Sequence, residues 1–469
     1  MRVFAVASLV LLSGCLTRYS FPQLVEKPSA SERILISNVA VFDGKSATLL
    51  EHRDVLISDG RVQAVHETGL MRIAGARFID GNGKTLVPGF IDFHVHLTSS
   101  PSAPWKAAQP DPRHAGRALL YAGITGAQDV GGDVEELEAL QKNWLGPDFI
   151  YAGKMITTRD GYPVSMVRDL LPWPVDRIAE GIFATQISTP EEAKRAVENS
   201  LAHGAKIIKV AVAQIPLDAP VYSPELLKAV VDAAHAKNAK VAAHIDTAEY
   251  ALLAARAGVD LLVHGVHLGK LTDEQAAELK SLGTVVAPTL VVWDRIEALI
   301  ENRFAPTPLE KEAWPSGFLH EFDPSVTSQH TLSAGLTAWI HELQASKADR
   351  LEAVRVLHRA GVPLLVGADD NGSVGCMAGA AFQEELRQLV EAGVPNADVL
   401  RGATSTAASL TGLGTGTVEV GAVANLVLLD GDPLTDITAT SRIVHVIKDG
   451  TVLNRSSILQ ETGDHVAKQ

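Results

Sequence analysis

Only two cysteines, Cys15 and Cys376, occur in 469 residues. That scarcity excludes a disulfide framework and leaves Cys376 to be read as a small buried apolar residue. Aromatic residues are also few, 5% of the chain, and acidic side chains outnumber basic ones by 55 to 41. With no basic run and no cationic stretch interleaved with rings, the surface of a nucleic-acid binder is excluded. A spanning helix is missing too: the apolar run at 3–12 falls well short of the roughly 20 residues needed. What remains is a long, acidic chain, 46% hydrophobic, large enough for one α/β barrel plus a lesser unit.

The most informative stretch present is His94-Val95-His96. On a strand, residues i and i+2 share a face about 7 Å apart, so two imidazoles there can converge on one cation. Such a pair is a weak signal alone, and its company gives it weight. Four more apolar, strand-like runs end in a metal-capable group: Lys209, His244, His264 and Asp369. Parity places Ile207, Lys209 and Ala211 on one face, with Lys206 on the other. An ammonium beside two cations is disfavoured by like charge and desolvation, which lower its pKa from roughly 10.4 and favour the neutral amine. A neutral lysine can add carbon dioxide, and the carbamate's two oxygens suit two divalent ions about 3.5 Å apart. The plain alternative is a lysine paired in a barrel core. Asp370 rivals Asp369, which shares parity with Leu365 and Gly367.

Eight strand-like runs, at 89–96, 124–130, 149–155, 206–211, 240–245, 261–265, 284–290 and 363–369, alternate with helical periodicities such as 190–203, 224–237 and 349–360. Eight βα units predict an α/β fold, a (β/α)8 TIM barrel over 88–412, with reactive groups at the carboxyl ends of its strands. Short strands with Asp-Gly hairpin signals flank it, at 34–39 and 54–65 and again at 424–430 and 443–452. Residues 31–87 and 413–457 are expected to form one composite β-sandwich domain. The stretch 291–351, carrying Trp293, Trp314, Phe318, Phe322 and Trp339, is longer than a barrel helix needs. It reads as a lid over the mouth or as a helical insertion packed on the barrel. Tyr162, Tyr222 and Trp293 follow strands three, four and seven, and His267 follows strand six. These four are candidate substrate contacts, against ordinary packing for the rings and a solvated loop for His267. His203, His235 and His358 fall on helices and His445 in the β unit, and none is assigned as a ligand.

The amino terminus has the charged start, hydrophobic middle and small-residue site of a secretory signal. Leu12-Ser13-Gly14-Cys15 resembles the lipobox of bacterial lipoproteins. That implies a signal peptide over 1–14, a lipid on Cys15 and a tether over 15–30, with Pro22, Pro28 and Ser29. Leu16, in place of an inner-membrane retention aspartate, favours the outer membrane, on its periplasmic or surface side. Cleavage without lipidation, giving a secreted protein, is the alternative. Expected partners are a small-molecule substrate and a membrane reached through the Cys15 lipid only, with no nucleic acid. A homo-oligomer is left open.

Residues 88–97, the Ile-Lys-Val of Lys209, His264-Gly265, Gly367-Ala368-Asp369 and the flanking β unit together resemble the amidohydrolase superfamily, in its imidazolonepropionase-like and prolidase-like branch. The resemblance spans nearly all of the mature chain. It implies two divalent metal ions, usually zinc, with His94, His96 and Asp369 on one, His244 and His264 on the other, and N6-carboxylated Lys209 bridging. It further implies a bridging hydroxide as nucleophile, polarisation of the scissile carbonyl and Asp369 as proton shuttle to the leaving amine. The expected activity is hydrolysis of an amide C-N bond in an N-acyl amino acid or small dipeptide. Alternatives are a cyclic amide, imidazolone or lactone hydrolase, and a metal-holding surface lipoprotein without turnover. An imidazolonepropionase proper is disfavoured because that family typically uses one metal without the lysine. Asp160-Gly161-Tyr162 and Ala213-Gln214-Ile215-Pro216 replace the glycine-rich loops of dipeptide-cleaving relatives, so substrate does not transfer directly. Ala368 and Asn425 are lesser departures, at a threonine and an aspartate position.

Overall fold

The computed structural model describes residues 32–459 apart from 72, 104, 105, 107, 143, 172 and 330–332. The expected signal peptide, Cys15 and the tether to residue 30 lie outside the described residues. Among those described, no helix is long and apolar enough to cross a membrane.

Five strands open the fold: β1 (Ile34–Val41), β2 (Leu50–Ser58), β3 (Arg61–Glu67), β4 (Arg77–Asp80) and β5 (Lys84–Pro88). Nine follow in the middle of the chain. They are β6 (Phe90–Val95), β7 (Ile124–Asp129), β8 (Asp148–Tyr151), β9 (Met155–Thr158), β10 (Ala184–Ile187), β11 (Ile207–Val212), β12 (Lys240–Ile245), β13 (Leu261–Val263) and β14 (Val285–Ala287). The last three are β15 (Leu426–Asp430), β16 (Ile443–Lys448) and β17 (Thr451–Leu453).

Strands from both ends of the chain share one eight-stranded sheet, in the order β17-β16-β15-β5-β1-β2-β3 with β4 beside β1. The join is β15 against β5, antiparallel from Leu426 opposite Pro88 to Asp430 opposite Lys84. Both hairpin signals operate as read. Asp59-Gly60 and Asp449-Gly450 have positive φ at both positions, 54° and 74°, then 51° and 77°, the two-residue turn whose twist suits paired strands.

The middle strands make two parallel sheets, β6-β7-β8 and β10-β9-β11-β12-β13-β14. The third expected strand is two: β8 pairs with β7 and β9 with β11, and between them Gly153 turns the chain at φ 72°. The eighth expected strand is not a regular strand, but its backbone engages both neighbouring sheets. On one side Val286 N donates to Pro363 O and Leu365 N to Val286 O; on the other Phe93 N donates to Val366 O and His96 N to Asp370 O. Ile91, Phe93, Ala152, Ile207, Ala242, Leu261, Val263, Ala287 and Leu365 form one buried apolar cluster, so the parallel segments face a common interior.

Helices fill the intervals close to their expected places, as Pro190–Ala202, Pro224–His235 and Lys347–Arg359. The first begins at Thr189, whose hydroxyl and Glu192 form a reciprocal cap. The long insertion is packed helix: Trp293, Trp314, Phe318, Phe322 and Trp339 are all buried in the main core.

Candidate metal centre

The ligand candidates stand where strands end and the backbone turns. His264 follows β13 with φ 59° and Asp369 ends the 363–369 segment with φ 54°. Left-handed backbone at non-glycine residues costs of order 1 kcal/mol each and persists where surrounding structure enforces it. Here it aims a ring and a carboxylate inward.

His94 Nε2 and His96 Nε2 are 3.3 Å apart, and both meet one carboxylate oxygen, Asp369 Oδ1, at 3.1 and 3.0 Å. Ligand atoms of His94, His264 and Asp369 lie within 4.8 Å of one another. The rings continue without a gap, His94 to His264 at 4.6 Å and His264 to His244 at 4.1 Å between centroids. Lys209, 1% exposed, is electrostatically coupled to His94, His244 and His264. The structure thus gathers His94, His96, His244, His264 and Asp369 into one cluster, with the Lys209 amine buried near enough to act on the charge of three of its rings.

The protonation pattern suits cation binding. Burial lowers the pKa of His94 to about 3, with Lys209 adding to the effect, and burial first, then neighbouring charge, holds His244 and His264 well below the usual range. Those rings are neutral and offer lone pairs. For His96 burial works downward, but the bond to Asp369 wins and raises it. Burial opposes charge on Asp369, yet His94 and His96 hold its carboxyl well below the ordinary value. The Lys209 amine is lowered to about 7 by burial, against Asp369 and Asp129, which raise it. Among the protein's own groups, burial is the influence that lowers the amine.

Several partners that sequence reasoning missed orient these ligands. His96 Nδ1 lies 2.7 Å from Gly131 O; a carbonyl only accepts, so Nδ1 carries a proton and Nε2 is the nitrogen turned to the Asp369 side of the cluster. His264 Nδ1 bonds Thr289 Oγ1 at 2.7 Å. Asp92 Oδ1 accepts from His94 N at 2.9 Å and Ala368 N at 3.2 Å, tying β6 to the Asp369 segment. Asp129 accepts from Leu97 N and Gly131 N. Asp92 had a legible signal, an acid inside an apolar strand with the parity of His94. Thr289 and Gly131 had none, because their roles depend on loops meeting in space.

The candidate substrate contacts divide. Tyr162 packs on His244 at 4.7 Å. Trp293 lies 5.4 Å from His264 and stacks on His267 at 3.7 Å and 20°, with Trp339 closing the group at 6.2 Å from Trp293. His267 is a correction: it is 1% exposed, not a solvated loop residue, because Trp293 covers its ring. Tyr222 is another. It is buried with Val210, Val212 and Leu226, the strand side facing the helices, while Lys209 has the opposite parity.

A metal fits this donor set by its own chemistry. Three neutral imidazoles, a carboxylate and a lysine amine converge, and the buried His244 Nε2 has no hydrogen-bond partner. A cation satisfies both the converging lone pairs and that orphaned atom.

The amidohydrolase family pattern matches residues 85–453. The chain belongs to the amidohydrolase family. Among solved structures, an amidohydrolase fold relative described as a prolidase complexed with N-methylphosphonate-L-proline is 26% identical, covers 90% of this chain and 99% of that one, and has a TM-score of 0.71. A Xaa-Pro dipeptidase with bound methionine, 23% identical over 90% of this chain and 100% of that one, shares the fold with a TM-score of 0.70. An uncharacterized protein of Mycobacterium bovis is 26% identical over 245 residues, 50% of this chain and 56% of that protein. An adenine deaminase of Deinococcus deserti is 39% identical over 93 residues, 20% of this chain and 15% of that protein. The chain thus spans little more than half the length of the first of these curated relatives and a small part of the second.

Proposed function

We propose that this amidohydrolase is a metal-dependent hydrolase of an amide C-N bond in an N-acyl amino acid or small dipeptide-like substrate. The observation that carries the reading is the buried convergence of His94, His96, His244, His264, Lys209 and Asp369. His94, His96 and Asp369 would hold one divalent ion, zinc by preference of the donor set, and His244 and His264 a second. Lys209, once its amine has added carbon dioxide with release of a proton, would supply the anion between them. When bound, the metal pair supplies Lewis acidity and an activated water.

The protein's own groups do the rest. Both histidine contacts of Asp369 use Oδ1, leaving Oδ2 to receive a proton and return it to the departing amine. The Gly131 carbonyl and the Thr289 hydroxyl keep two rings in register, and Tyr162, Trp293 and His267 wall the approach and exclude water. Hydrogen bonding of 363–370 to both parallel sheets supports a closed (β/α)8 barrel over 88–412. The shared terminal sheet supports one composite β domain from 31–87 and 413–457, sandwich-like in packing. We also propose export, with lipidation of Cys15 and anchoring to a bacterial membrane, the outer one favoured.

The decisive experiment pairs metal analysis with a library of N-acyl amino acids and Xaa-Pro dipeptides. A fully metallated protein without turnover would sink the proposal. Lys209→Ala is expected to lose metal and activity together, and intact-mass measurement should show the wild-type lysine heavier by one carbon dioxide. The adenine deaminase similarity favours a second reading, hydrolytic displacement of an exocyclic amine from a purine-like ring, and aminopurines added to the library separate the two by release of ammonia with the ring intact.

A further inference from the structure

The rings beside the metal centre hold two polar atoms that the proposed hydrolysis leaves unused. The His267 ring stands 6.5 Å from that of His244, edge to face. Its own face stacks on Trp293, and the Trp339 ring lies 6.5 Å from it at 74°. These rings are no more covered than the ligands they adjoin: His267 is 1% exposed and Trp339 5%, against 3% for His264 and 4% for His244. Among the described residues, neither His267 Nε2 nor Trp339 Nε1 has a hydrogen-bond partner.

The two atoms have opposite character. His267 Nδ1 lies 3.1 Å from Gly265 O, a carbonyl that only accepts, so Nδ1 carries a proton. Burial lowers the ring's pKa to about 3, which leaves it neutral with Nε2 as an acceptor. An indole Nε1 only donates. A buried donor and a buried acceptor are costly to leave unmet, and these two do not meet each other. One planar amide between them, joined by bonds of about 2.9 Å on either side, suits rings at this separation and satisfies both. Its N–H donates to His267 Nε2, and its carbonyl accepts from Trp339 Nε1. A carboxylate offers lone pairs alone, so one of its oxygens would face the lone pair of Nε2. Arg350, which lines a small void with His267 and Trp293, is held by Leu343 O and Glu297, so its charge is already met.

We propose that His267 and Trp339 form a specificity subsite for a carboxamide on the substrate, so that the enzyme prefers peptide-like amides whose neighbouring carboxyl group is capped as an amide over the corresponding free acids. The proposal rests on the amide-hydrolase reading and narrows its substrate class. His244, a ligand of the metal centre in that reading, adjoins His267, so the subsite grips the group next to the scissile bond.

The test uses the zinc-loaded protein and three probes built on N-acetylphenylalanine: its N-methylamide, the near-isosteric methyl ester, which lacks the N–H, and the free acid. Release of acetate reports cleavage of the same bond in each. From methylamide to ester, kcat/KM should fall about ten-fold or more, and further for the acid. His267→Phe keeps a ring against Trp293 and removes the acceptor, so its methylamide-to-ester ratio should drop to near one. Trp339→Phe removes the donor and should raise KM for methylamide and ester alike, leaving their ratio in place. A wild-type ratio near one, or a free acid preferred to the methylamide, overturns the subsite. So does a His267→Phe variant that loses activity on every probe yet keeps the wild-type ratio, because His267 would then act through packing alone. If no probe is hydrolysed, calorimetric binding of the same three separates the two ideas. Tighter binding of methylamide than of ester, abolished in His267→Phe, upholds the subsite while the hydrolase reading fails; equal or absent binding ends both.

Discussion

At the scale of single residues, the centre depends on groups that fix ring orientation as much as on the ligands. Thr289 is buried, sits at φ 50° and meets His264 Nδ1 through its hydroxyl. Partners of this kind set ligand tautomers, and their loss typically costs 10- to 100-fold in metal affinity. Thr289→Ala should show a loss of about that size in a chelator-competition titration. Unchanged affinity would mean His264 is not a ligand or needs no orienting. Gly372 acts by having no side chain: a Cβ there would run into His96 and Asp369 Oδ1. Gly372→Ala should therefore lower activity and bound metal while leaving the circular dichroism spectrum in place. A variant with full metal and activity would show that the ligands can move aside.

At the scale of elements, the insertion between β14 and the Asp369 segment is anchored by a buried acid. Glu385, on the helix Ala380–Glu391, accepts from Val291 N at 2.8 Å at the start of the helix Leu290–Ile300. Burial raises its pKa from 4.5 to about 8, against the backbone N–H groups of Val291 and Leu290, which lower it. Below 4.5 the folded and unfolded chains both carry the proton. Between there and about 8 the unfolded chain releases it while the folded one retains it, so stability falls as pH rises through that window. The slope is up to about 1.4 kcal/mol per pH unit. Glu385→Gln keeps an acceptor for Val291 and removes the titration. Its melting temperature should match the wild type near pH 5 and exceed it near pH 8. A constant difference across that range would assign the helix pair's pH response to other groups.

At the scale of the molecule, ligands from distant chain positions close one cluster, so bound metal and folding are linked. A cation that binds only the folded state stabilises it by about 3 to 4 kcal/mol at 100 to 1,000 times its dissociation constant. Removing metal with a chelator should lower the melting temperature of the wild type by several degrees and change it far less in Lys209→Ala. Equal shifts in both would place the stabilising metal elsewhere. Much of this arrangement was legible in the amino-acid order. Strand parity put His94 and His96 on one face and Lys209 on a face with Ile207 and Ala211, and alternating apolar runs located β11, β12 and the helix between them. Asp-Gly pairs marked both hairpins, because these signals act over a few residues of backbone. Only the tertiary structure decided what depends on distant segments meeting. Gly153 divides the third strand, since β8 and β9 have different partners, and the eighth segment engages two sheets through isolated bonds, too few for a pattern in sequence to reveal. Tyr222 turns to the helix layer, His267 is sealed beneath Trp293, and Thr289 and Gly131 become ring-orienting groups through packing and loop closure, which no local periodicity encodes.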